Sequence, residues 1–343
     1  MTTAPANLPQ WPRTVERTVG VAFKRLPEDF RVAEHLAFEP SGAGEHLFVE
    51  LEKRDIGTPE LARLLADAHS IDHQDVGYAG MKDKQAVASQ WFSLRGVHDL
   101  DETVGEFSGV RVLRVSRHRQ KLRRGQLAGN SFAITLRNPA CGDIAGAMAT
   151  LAGRGSPNYF GGQRFGRGNL QRATDWLARR RRVRTSAFRQ GLHLSVLRSF
   201  LFNEVLAARV RAGTWREAIA GDVLDGRGLP TGPLWGRGRS TATGAAAAIE
   251  GSALAPHAAL LDGLEHAGLS QSRRALVLLP EAFRWQHEHG SIEVRFSLGP
   301  GGYATSLLGD LFELHAGEVG AERQGWLESP TMARLPDAEE PAR

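Results

Sequence analysis

Cysteine is nearly absent from this chain. The single Cys141 has no partner for an internal disulfide, and no CxxC pair or Cys/His cluster offers a zinc site. That excludes a disulfide-stapled scaffold and a structural zinc module, and makes a reducing cytoplasm the expected setting. Long apolar runs are missing too. The greasiest stretch, around Ala245 to Ile249, stops at Glu250, well short of the roughly 18 residues a membrane helix needs. The opening MTTAPANLPQWPRTV lacks the apolar core of a signal peptide, so no membrane is expected among the partners. Lysine is the third scarcity: five residues, at 24, 53, 82, 84 and 121, against 38 arginines.

What is present is the composition of a packed protein. The chain has 343 residues, 41% hydrophobic and 24% charged, with a mean hydropathy of -0.30. That is room for two domains of roughly 150 residues each. The net charge of +5 and pI of about 9.8 point to a polyanion partner, although arginine-rich codon usage gives the same balance. The lysines sharpen this. Where drift favours arginine, a surviving lysine marks a site that needs the compact cation rather than the planar fork. All five precede position 122, and four fall in segments with functional character.

The first 155 residues read as strands with a few helices. Segments 19–24, 30–36, 46–52, 90–95, 110–116 and 131–137 carry β-branched or aromatic residues with partial period-two alternation. Thr58-Pro59-Glu60 reads as an N-cap followed by Pro, opening a helix to about Ala68, and a second helix is expected from Asp143 to Ala152. At GRGSPNYFGGQRFGRGN (153–169) the strand pattern ends, and periodicity to about 280 is mainly helical. The clearest case is 195–211, with Ser195 as cap and Val196, Phe200, Val205 and Leu206 in the apolar stripe, followed by 257–267 and 271–279. The Gly/Pro-rich 225–240 receives no assignment. Alternation returns at 291–298, then a helix from about Thr305 to Leu314 and a polar tail, PDAEEPAR, expected to fray. This order suits one α+β domain with a helical domain inserted near its end.

Several segments carry chemistry. In GYAGMKDKQAVASQWFS (77–93), Asp83 lies between Lys82 and Lys84, just before a strand. Two adjacent ammonium groups favour the ionised carboxylate, which suits a nucleophile or a base at a sugar carbon. A solvated turn with surface ion pairs is the commoner meaning of such a triplet. RHRQKLRRG (117–125) offers Arg117, Arg119, Lys121, Arg123 and Arg124 to phosphates, and the strand after it brings Asn130 to read a base edge and Phe132 to stack. The alternative is an exposed charge run leading into a core strand. NYFGGQRFG (158–166) mixes Tyr159, Phe160 and Phe165 with Gln163 and Arg164, which fits either stacking on splayed bases or a junction with packed aromatics. RRRRVR (179–184) is a further phosphate contact or a solvated helix end.

Together these segments resemble the TruD family of tRNA pseudouridine synthases. The likeness runs in order through KRLPEDFRVAEHL (24–36), GEHLFVELEKR (44–54), the Asp83 segment, RHRQKLRRGQLAGNSFAITLRN (117–138), PNYFGGQRFGRGNLQ (157–171), LRSFLFNEVLAAR (197–209) and IEVRFSLGPGGYATSLL (292–308). It implies a pseudouridine-synthase core with a mixed β-sheet and flanking helices over 1–155 and 281–343, interrupted by a mainly helical insertion over 156–280. It implies Asp83 as the catalytic aspartate, with Phe30, Asn130 and Tyr303 lining the target uridine and Lys24, Lys82 and Phe132 near the pocket. Tyr303 departs from the Phe expected there, keeping the stacking face and adding a hydroxyl. The implied reaction is isomerisation of uridine to pseudouridine, usually at position 13 of certain tRNAs. Transfer RNA is the expected partner, with no cofactor, no metal and no obligatory protein partner. Whether Asp83 attacks sugar or base, or removes a ribose proton, stays open. Two other readings remain: a base hydrolase that releases uracil, and an RNA-binding factor in which Asp83 is idle.

Overall fold

The computed structural model describes residues 9–15, 19–166, 168–179 and 185–316. The polar tail and residues 180–184 of the basic run lie outside the described residues.

Alternating apolar residues build strands β1 (Val19–Phe23), β2 (Phe30–Leu36), β3 (His46–Arg54), β4 (Val76–Tyr78), β5 (Val87–Arg95), β6 (Val110–His118) and β7 (Leu127–Arg137), with helices α1 (Thr58–Ala68) and α2 (Ile144–Arg154) among them. A middle stretch follows: β8 (Ser156–Pro157), α3 (Gly162–Phe165), α4 (Asn169–Arg179), α5 (Ala187–Arg211), β9 (Thr231–Leu234), α6 (Gly244–Leu254), α7 (Ala258–Glu265), β10 (Ser272–Ala275) and β11 (Val277–Leu278). The chain then forms β12 (Glu281–Glu288), β13 (Ser291–Leu298), α8 (Ala304–Leu308) and β14 (Phe312–Ala316). Ten strands make one sheet, in the order β12-β13-β7-β2-β5-β3-β6, with β4 on β5 and β1 joining β7 to β14. The β2–β5 and β1–β14 pairs are parallel and the others antiparallel. The class is α+β with a mixed sheet.

Register decides what shares a face. Phe30, Val32 and Glu34 of β2 stand opposite Ile134, Phe132 and Asn130 of β7, and Asn130 in turn stands opposite Leu298 of β13. The rings and aliphatic groups of this face join Met148 and Leu151 of α2 and Leu307 and Leu308 of α8 in one core. Leu61 and Leu65 of α1 cover Leu51, Phe92 and Leu94 in a second. A third core is helical, with Leu170, Leu177, Phe200, Val205 and Leu264 around it.

Four local expectations are corrected and one unassigned stretch is filled in. Helix α5 starts eight residues before Ser195, at Ala187, where Ser186 Oγ accepts from Arg189 N (3.4 Å). Gly57 is the N-cap of α1 and Thr58 its first residue, which frees the Thr58 hydroxyl for another task. Residues 271–279 form strands, not a helix, because a short buried run such as Leu276–Val277–Leu278 takes whichever state its neighbours pair with. Here β8 and β9 supply those neighbours. The helix expected to reach Leu314 stops at Leu308, and after Gly309 the chain becomes β14 beside β1. The unassigned 225–240 contains a turn, in which Asp225 Oδ1 accepts from Arg227 N and Leu229 N (both 2.9 Å), and then β9.

The segment between β8 and α3 is tied to α5 by one buried amide. Asn203 of α5, fully buried, accepts from Phe160 N and donates to Phe160 O, each at 2.9 Å. Replacing Asn203 by Ala leaves two buried backbone groups unsatisfied and should destabilise the chain by about 2–5 kcal/mol in denaturant unfolding. A change under about 0.5 kcal/mol would mean that the segment is held elsewhere.

Candidate active site

The loop between β4 and β5 carries Asp83, and buried groups hang it in place. Lys53, at the end of β3 and 0% exposed, donates to Asp83 O (2.8 Å) and Ile56 O (2.6 Å). Burial presses its pKa down to about 8, against the pull of Asp83. Thr58 Oγ1 accepts from Lys82 N and donates to Gln90 Oε1, both at 2.9 Å, and Gln90 Nε2 donates to Gly80 O (2.6 Å). The Lys82 ammonium pairs with Glu34, which is buried in β2, and burial holds the Glu34 carboxyl above its ordinary range. A Cβ on Gly80 would stand 3.3 Å from both charged groups of that pair, so glycine keeps the loop against it.

The two lysines beside Asp83 in sequence do not neutralise it. Lys82 turns to Glu34 and Lys84 to Glu60 (3.3 Å). The side chain that pairs with Asp83 Oδ2 is Lys24, 59 residues away. Adjacent residues in an extended loop point apart, so the lysines expected from the triplet are not the partner of Asp83. Lys24 is held from beneath. It adopts a positive φ of 53°, and the turn after it is closed by buried Asp29, whose carboxylate accepts from Arg25 N (3.1 Å) and Leu26 N (3.0 Å). Arg137 grips both oxygens of Asp29 (2.7–3.0 Å). The ammonium of Lys24 also sits 3.9 Å from the centre of the Phe30 ring, a favourable cation–π contact.

The Asp83 side chain is 42% exposed, whereas those of its partner Lys24 and of the Lys82–Glu34 pair are 10% exposed or less. Among the described residues no donor reaches its second carboxylate oxygen. The other residues singled out from sequence fall around it in two directions. Phe30 is edge-on to Phe132 (5.9 Å), which stacks on Phe296 (5.3 Å). Asn130 stands opposite Glu34, and its Oδ1 is buried without a donor. Tyr303 arrives from the C-terminal part, where Gly302 packs on Leu298, the β13 neighbour of Asn130. The Tyr303 hydroxyl accepts from Arg164 Nη2 (3.4 Å).

Other candidates fare differently. Phe160 and Phe165 are core residues of the helical layer, and Tyr159 stacks on Trp11 (6.0 Å), so these rings pack rather than wait for bases. Within 117–124, Arg117 donates to Gly44 O and His98 O, and Lys121 to Gln74 O, as loop staples. Arg119, Arg123 and Arg124 are exposed. Sequence reasoning missed Lys53 and Glu34 as parts of the site, although Lys53 was one of the five conspicuous lysines.

Residues 13–181 match the family model described as tRNA pseudouridine synthase D (TruD). The chain is 41% identical over 330 residues to the tRNA pseudouridine synthase D of Methylococcus capsulatus, covering 88% of this chain and 91% of that one. It is 40% identical to that of Pseudomonas putida (88% and 94%) and 42% identical to that of Cellvibrio japonicus (85% and 89%). A crystal structure from Methanosarcina mazei, described as a tRNA pseudouridine synthase D, shares the fold with a TM-score of 0.65 at 21% identity, covering 90% of this chain and 97% of that one. At two-fifths identity over nearly their whole lengths, these relatives settle the relationship: the chain belongs to the tRNA pseudouridine synthase D family.

Proposed function

We propose that this chain isomerises uridine to pseudouridine in tRNA, at position 13, in the cytoplasm, with Asp83 as the catalytic carboxylate. We assign residues 1–155 and 281–343 to the catalytic core and 156–280 to an insertion domain that helps hold the RNA. The observation that carries the reading is the half-free carboxylate of Asp83. One oxygen is tied to Lys24, its main chain is tied to Lys53, and the side chain remains 42% exposed with no donor on the other oxygen among the described residues.

The reaction is an isomerisation. The N1–C1′ bond breaks, a C5–C1′ bond forms, C5 loses its proton and N1 gains one. The uridine first leaves the RNA stack at a cost of a few kcal/mol. Tyr303, half-buried, offers a ring surface at the site, Phe30 and Phe132 belong to the packed core of the β2–β7 face, and Asn130 Oδ1 offers an acceptor for a donor on the uracil edge. Lys24 pairs with one oxygen of Asp83 and fixes the direction of the carboxylate. A carboxylate so held is preorganised, and charge changes at the sugar meet a fixed dipole rather than mobile water.

The test is Asp83→Asn, which keeps size and removes the charge. Pseudouridine formation in single-turnover assays on tRNA should fall by about a hundredfold or more, while tRNA affinity stays within several-fold, because the carboxylate serves the transition state. Substantial activity would overturn the assignment, and release of free uracil by the wild type would establish the hydrolase instead.

Lys53 supports this loop with a pH signature. The folded chain gives up its proton near pH 8, whereas the unfolded lysine holds it to 10.5. Between those values the unfolded state binds more protons, so this group's contribution to stability rises with pH, and below 8 it is flat. The stability advantage of wild type over Lys53→Met should therefore grow from pH 7.5 to 9.5 in parallel denaturant melts. An advantage that stays constant would mean that Lys53 is hydrated.

A further inference from the structure

Two arginines from distant parts of the chain meet on one ring. The guanidinium of Arg274, in β10, lies 4.2 Å from the centre of the Phe160 ring, and that of Arg164, in α3, lies 5.5 Å from it. Like charges placed together repel, and burial together with Arg164 lowers Arg274 to about 10. Proteins usually set a carboxylate between such groups. Here, among the described residues, neither arginine has an acidic partner. Arg274 spends Nη2 on Asn158 Oδ1 (2.6 Å) and Gly301 O (3.0 Å), and Arg164 spends Nη2 on Tyr303 Oη. The Nε atoms of both are buried with no acceptor. Stapling explains part of Arg274. It does not explain why a second guanidinium is brought to the same ring.

We propose that Arg164 and Arg274 bind one backbone phosphate of the RNA, next in line to the nucleotide that enters the site. A phosphodiester supplies what the pair lacks: a delocalised negative charge and acceptor oxygens matched to two planar forks. The place fits the ligand. Arg164 touches Tyr303, and Arg274 touches the Gly301 carbonyl two residues before it, so a phosphate on the pair lies at the wall of the uridine pocket. It joins the helical layer, which supplies Phe160 and Arg164, to the α8 loop, which supplies Tyr303. The position rests on the reading of Tyr303 as part of that pocket.

The test pairs a protein change with an RNA change. Full-length tRNA is ligated with a single methylphosphonate, which removes one phosphate charge, at each of the four linkages around position 13. Binding is measured with wild type and with Arg164→Gln. One linkage should weaken wild-type binding by about tenfold, and Arg164→Gln should weaken binding to unmodified tRNA by a similar factor. Combined, the two changes should cost no more than either alone. The slope of log K against log salt should flatten by about 0.7–0.9 in the variant. Arg274→Lys, which keeps a charge but not the fork, should show the same coupling at the same linkage with little change in melting temperature. Additive losses at every linkage, or an Arg164→Gln variant that binds like wild type, would overturn the site. If wild type neither binds nor modifies unmodified tRNA, the failure belongs to the proposed function instead.

Discussion

The site depends on an ammonium group taken out of water. Lys53 lies beneath the Asp83 loop with no exposed surface and gives two of its protons to main-chain carbonyls, one of them that of Asp83. An isolated buried charge is costly, and this one is tolerated because its donors are directed at fixed acceptors and a carboxylate lies nearby. The same contacts leave the loop little freedom. An arginine fork would need more room and more acceptors, which accounts for a lysine surviving here in a chain of 38 arginines.

Around that anchor the other elements act as braces. The Asp29–Arg137 pair closes the turn that presents Lys24, the Lys82–Glu34 pair ties the loop to β2, and Thr58 and Gln90 hold the main chain between. Three of the five lysines thus converge on one short loop from β3, from the end of β1 and from the loop itself. The parallel pairing of β2 with β5 makes this convergence possible, because it sets Glu34 beside the strand that the loop enters. Asp83 is left as the accessible carboxylate in a frame of satisfied charges.

Much of this was legible in the sequence, and the limits have physical causes. Strands with period-two alternation were readable because one face of each is buried, and the order of β-rich, helix-rich and β-rich segments was visible in the periodicity. β4, only three residues long, and the exposed β12 left little trace, since a pattern needs both length and one-sided burial to be written. Leu276–Leu278 and the stretch after Gly309 misled because partners distant in sequence choose their state. Asp83 was conspicuous as a charge triplet, yet its partner Lys24 could not be read from spacing, because a 59-residue separation closes only in three dimensions. The aromatics at 159, 160 and 165 fitted two readings equally, and their place in the buried cluster around α5 decided for the core.

The central claim is that the oxygen of Asp83 not paired with Lys24 is where the chemistry happens. A structure of the protein bound to tRNA, with a slowly reacting uridine analogue at the modified position, measures this directly. The account predicts an Asp83 oxygen about 3–3.5 Å from the ribose C1′ or C2′ or the uracil C6, with Lys24 still on the other oxygen. A nucleotide seated with its sugar and base beyond about 6 Å from Asp83, or against a different carboxylate, would contradict it.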